Sequence, residues 1–143
     1  MPRVSAAFFA VGGLCVLTGM LLGMHMGATS DFALVPLHAH LNLLGWATMA
    51  LYGTFYALTA QTMSKSLAWI NFSFSAAGII ILAPALGIFL KTNNAAVIPV
   101  MMVGEVLSVL ALLTFLYSAF RELARRRTEP QGAAVRAESV VAE

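Results

Sequence analysis

Charge is the scarcest property of this chain. Only 10% of its 143 residues are Asp, Glu, Lys or Arg, whereas 60% are hydrophobic and the mean hydropathy is +0.88. A soluble domain carries about 25% charged residues. A chain this short cannot hide so much apolar surface in its own interior, so lipid is expected to be its solvent. Cysteine is nearly absent: Cys15 is alone, which excludes an internal disulfide and predicts a buried, inert thiol. No CxxC pair, Gly-rich phosphate loop or hydrolytic triad is present, so thiol-redox, nucleotide and hydrolase chemistry lack their equipment. No run alternates as the strands of a membrane barrel do. The net charge of +2 comes mainly from the C-terminal end. It fits orientation against an anionic membrane surface rather than nucleic-acid binding.

What the chain does have is long apolar runs. Crossing the hydrocarbon core as a helix takes about 20 residues. Four stretches qualify, at residues 4–26, 35–60, 67–90 and 95–120, joined by ATSDFAL, QTMSKS and KTNN. Connections this short predict antiparallel neighbours. The expected fold is all-α: a polytopic membrane protein with an antiparallel four-helix bundle over 1–127 and a disordered tail at 128–143. Arg3, Lys65, Arg121, Arg125, Arg126 and Arg127 fall on one side of that topology, Lys91 and Asp31 on the other. The basic excess predicts both termini in the cytoplasm, and the loop before the second span outside. A cleaved signal peptide over the first 30 residues is disfavoured, because the apolar run is longer than a usual h-region.

All three histidines lie between His25 and His40, where the first two spans meet. Imidazole is the commonest protein ligand for metals and haem iron, so this segment is a candidate metallocentre. The plainer alternative is that polar residues gather at helix ends near water. From His38 onward one helical face is polar or small: His38, Asn42, Gly45, Met49, Tyr52, Gly53 and Tyr56. Such a stripe in lipid must face the bundle interior or a cavity, and its glycines admit a flat cofactor or another helix. Interhelical packing, with Asn42 as hydrogen-bonding glue, explains it equally simply. His40 points about 200° away from His38, so His38 is the better ligand of the two.

Gly12, Gly19, Gly23 and Gly27 form a small-residue stripe on the first span. It serves either packing within the chain or a homo-oligomer seam, and His25 points away from it. Glu105, about ten residues into the fourth span, is an intramembrane carboxylate. It fits a proton carrier, an acceptor for a histidine Nδ1–H, or a protonated packing residue. Met20, Met24 and Met26 flank His25, with Met101 and Met102 at matching depth. Thioethers with imidazole select copper(I), although methionine is also ordinary apolar filler.

The run LHAHLNLLGW, within residues 26–56, resembles small four-helix bacterial membrane proteins related to the catalytic subunit of haem–copper oxidases. The resemblance implies a four-helix module of the bacterial inner membrane with a b-type haem near the periplasmic side, ligated by His38 or His40. Asn71 stands where such relatives carry a histidine. A chain this short cannot hold a whole oxidase centre. The leading expectation is a haem b protein with His25 and His38 as axial ligands, serving electron transfer with a respiratory partner or gas and redox sensing. Copper capture or oxidase assembly through Met24 and the histidines is the alternative. A purely structural accessory subunit is the third.

Overall fold

A computed structural model describes residues 1–126, and every regular element among them is helical. Helix α1 spans Arg3–Thr29, α3 spans Lys65–Thr92 and α4 spans Ile98–Arg126. Helix α2 covers 35–58 and is not uniform: it opens as Val35–His40, becomes a π-helix over Leu41–Thr48 and closes as Met49–Leu58. A 3-10 turn at Ala95–Val97 leads into α4. Residues 127–143, which include the tail expected to be disordered, lie outside the described residues.

Among the described residues, three helical stretches are long and apolar enough to cross a membrane: Arg3–Thr29, Lys65–Thr92 and Ala95–Arg125. The chain is thus a membrane protein with transmembrane helices. The second predicted span, 35–60, has the length but is interrupted by the π segment. Polar end residues carry α1 and α3 beyond the apolar runs that predicted them. Helix ends are marked by local chemistry. Ser30 (φ 53°) and Asn93 (φ 50°) stop α1 and α3 in the left-handed conformation, which short polar side chains tolerate. Asn94 then accepts the Ala96 N–H at 3.0 Å and starts the 3-10 turn. Pro36 sits in the first turn of α2, where its missing N–H costs nothing. Pro84 lies inside unbroken α3 and removes the hydrogen bond that the Ile80 carbonyl would accept.

Two antiparallel helix pairs make up the body. Along α1 and α2, Gly53 faces Phe8, Gly12 faces Gly45 and Trp46, Gly19 faces Asn42, and Gly23 faces His38. Along α3 and α4, Gly78 meets Gly104 and Ser108, while the buried Asn71 amide donates to the Ala111 carbonyl at 2.7 Å. Lipid removes the hydrophobic drive for helices to pair, so close backbone approach and interhelical hydrogen bonds must do it. Both seams have these features.

An aromatic cluster joins the pairs at the end away from the histidines. Phe8 stacks with Tyr56 at 5.9 Å and meets Phe72 edge-on at 5.2 Å; Tyr52 stacks on Phe115 at 4.4 Å. Val4, Met49 and Ala68 complete this buried core. Each aromatic pair adds about 0.5–1.5 kcal/mol beyond its burial.

Candidate functional site

The histidine end is built from the last turns of α1, the loop at 30–34, the start of α2 and the end of α3. Asp31 pairs with Lys91 and its other oxygen accepts the Ala33 N–H at 3.0 Å, tying the first loop to α3. Asp31 titrates below the ordinary carboxylate range because of the Lys91 hydrogen bond first, then the Ala33 bond and the Lys91 charge.

His38 faces α1. Its Nδ1–H donates to the Gly19 carbonyl at 2.8 Å, and its Nε2 accepts from the Asn42 amide at 3.1 Å. A carbonyl can only accept, so Nδ1 carries the hydrogen and Nε2 the lone pair. The same Asn42 nitrogen donates to the His38 carbonyl at 2.9 Å. A Cβ added at Gly23 would lie 2.9 Å from His38 Cε1, and one at Gly19 would lie 2.7 Å from Asn42 Oδ1. The glycines at 19 and 23 therefore make room for the ring and the amide. The stripe predicted on α1 is filled from within the chain at Gly12, Gly19 and Gly23; only Gly27 has open space above it.

His40 is arranged differently. Its Nδ1–H donates to the Pro36 carbonyl one turn back at 2.7 Å, and Nε2 has no protein partner among the described residues. An imidazole oriented through Nδ1 by a backbone carbonyl is set up to ligate through Nε2. His25 is exposed on α1, away from the seam that holds His38. Met24 beside it is 71% exposed, whereas Met26 is buried.

His38 has both nitrogens committed and its ring against α1, while His25 is exposed, so the structure does not bring the two expected ligands together. Among the described residues no group of three or more His, Cys, Asp or Glu side chains could hold a metal ion.

The rest of the predicted stripe is interior. Gly45, Met49, Tyr52, Gly53 and Tyr56 are buried, and Gly45 takes Cys15 of α1 against it. Tyr56 donates to Ser118 at 3.2 Å, linking α2 to α4. Glu105 belongs to no site with the histidines: it is exposed on α4, among Met102, Val106 and Val109, each more than half exposed.

Two features were not visible in the residue pattern. One is the π segment over Leu41–Thr48, at whose end the Thr48 hydroxyl donates to the Leu43 carbonyl at 2.9 Å. It starts directly after His40, and π segments are frequent at functional sites. The other is Asn71, which is fully buried and whose Oδ1 has no hydrogen-bond partner among the described residues.

No family model, curated protein or solved structure matches the chain.

Proposed function

We propose that this protein is a four-span subunit of a bacterial inner membrane, with both termini cytoplasmic and the histidine end at the periplasmic face. In this reading the histidine end carries a b-type haem through His40, and another polypeptide provides the opposite ligand. The orientation is supported by the basic residues at the other end. The ligand assignment is supported by one observation: among the described residues, His40 is the histidine with Nδ1 tied to a backbone carbonyl and Nε2 without a protein partner. His38 and Asn42 then have a structural task, locking α2 onto α1 just below the ligand. When bound, the haem would supply one-electron transfer or gas binding, fitting a small respiratory or redox-sensing subunit.

A second reading has one observation in its favour. Met24 and His25 are adjacent and both exposed, so a soft copper(I) ion could use them in an accessory or assembly role.

Reduced-minus-oxidised spectra and metal analysis of the purified membrane protein separate these readings. The haem reading expects a b-type α band that His40→Ala abolishes and His25→Ala leaves in place. Copper without haem, lost in Met24→Ala and His25→Ala, would replace it with the second reading. A colourless, metal-free protein of native fold would overturn both and leave a structural subunit.

A further inference from the structure

From Ile98 to Leu113 the exposed residues of α4 are apolar except Glu105. The other polar groups in this part of the bundle turn inward: Asn71 donates to Ala111, Ser108 to the Gly104 carbonyl, and Tyr56 to Ser118. Glu105 has no hydrogen-bond or ion-pair partner among the described residues, although it lies seven residues inside the start of α4. At 1.5 Å per residue that is about 10 Å along the helix from its start, among exposed apolar side chains. A carboxylate left there faces hydrocarbon unless something answers it.

Of the basic groups at the same end, Lys91 is paired with Asp31 and His40 lies at the start of α2; His25, on which Asp31 acts only through its charge, is the one on an exposed face of a long helix. His25 is exposed on α1, four residues before the helix ends at Thr29, or about 6 Å deep. Its ring makes no hydrogen bond among the described residues. The difference in depth is within the combined reach of the two side chains. They cannot meet within one chain: α1 packs on α2 and α3, while α4 packs chiefly on α3. Around His25, α1 exposes Leu17, Leu21 and Met24; around Glu105, α4 exposes Met102, Val106 and Val109. Between α1 and α3 runs an open apolar groove of about 360 Å³ lined by Leu14, Thr18, Ile80 and Pro84. His25 sits seven residues beyond Thr18, two helical turns up the same face.

We propose that α4 of one copy docks against α1 of a second copy, along the α1–α3 groove, with Glu105 of the first accepting a hydrogen bond from His25 of the second. The two surfaces differ, so the contact is heterologous and each copy offers both halves; such contacts give a ring where the rotation closes and an open row of copies where it does not. The complementarity of carboxylate and imidazole selects a second copy over bulk lipid. The inference goes beyond the haem reading and uses neither His40 nor a metal.

The test is cross-linking of the full-length protein in its native membrane. In a Cys15→Ala background, one tagged copy carries Leu21→Cys and a differently tagged copy carries Val109→Cys. These sites lie one turn deeper than His25 and Glu105. Oxidation should give a disulfide between unlike copies, and adding Glu105→Leu should remove it. His25→Ala should remove it as well, which covers the case in which the Glu105 variant fails to insert. No disulfide between the Leu21→Cys copy and the Val109→Cys copy, or one unchanged by either further substitution, would overturn the proposal. A product only between two copies of Val109→Cys would do the same, showing a symmetric α4–α4 contact instead. Because the readout is a disulfide, its failure leaves the spectral test of His40 untouched.

Discussion

Gly23→Ala is the sharpest perturbation of the α1–α2 seam. The added methyl carbon would lie 2.9 Å from His38 Cε1 and 3.3 Å from its Nδ1. Real Cβ atoms do not approach that closely, so the ring or the helix must move. The ring has little freedom, because Nδ1 is bonded to Gly19 and Nε2 to Asn42. Overpacking a tight interior contact costs about 1–3 kcal/mol. Losing one of the two hydrogen bonds adds about 0.5–1.5 kcal/mol when the ring moves instead of the backbone. Replacing a mid-helix glycine by alanine returns about 0.5–1 kcal/mol. The expected net loss is about 1–2 kcal/mol, roughly tenfold in the folding equilibrium. Gly27→Ala is the internal control. Nothing lies within 4 Å of its added carbon, so only the helical gain remains. Reversible unfolding in mixed micelles, followed by far-ultraviolet circular dichroism, measures both. Should Gly23→Ala prove as stable as Gly27→Ala, the His38 lock described above is wrong.

Other expectations follow from single contacts. Tyr56→Phe removes the hydroxyl that donates to Ser118 between α2 and α4; the loss should be about 1 kcal/mol in the same unfolding assay. Asp31 is held below its ordinary range by Lys91, so its contribution is present above the unfolded carboxylate value and disappears as pH falls through the lower folded one. Unfolding midpoints of wild type and Lys91→Met should therefore converge in acid and separate above about pH 4, by an amount that shrinks in salt because the pair is exposed. Asn42→Leu frees His38 Nε2 and removes two donated bonds; it should weaken the fold by about 1–3 kcal/mol, and in the haem reading it should leave any α band in position.

How much of this could be read from the letters varies by element. Helix α3 and the apolar runs of α1 and α4 were legible, because their length and hydropathy have no other stable outcome in so short a chain. The buried stripe on α2 was legible too, since a polar face in lipid must turn inward, and Gly45, Met49, Tyr52 and Tyr56 do. Which nitrogens of His38 and His40 stay open was not legible. Periodicity gives the face of a ring but not the bonds its nitrogens make, and the Gly19 carbonyl comes from nineteen residues away. The π segment was hidden for a related reason, because its turns differ from α only in which carbonyl each N–H reaches.

Composition and hydropathy by themselves determined the solvent, the helical class and the approximate position of each long helix, because these depend on residue type averaged over turns. Three-dimensional packing decided which groups are spent and which stay open. It brought Gly23 under His38 and left His40 Nε2 without a partner among the described residues. It also turned Glu105 outward, on a helix whose neighbours leave that side uncovered. Those outcomes depend on contacts between residues distant in sequence and on atoms a fraction of a turn apart, which no one-dimensional pattern encodes.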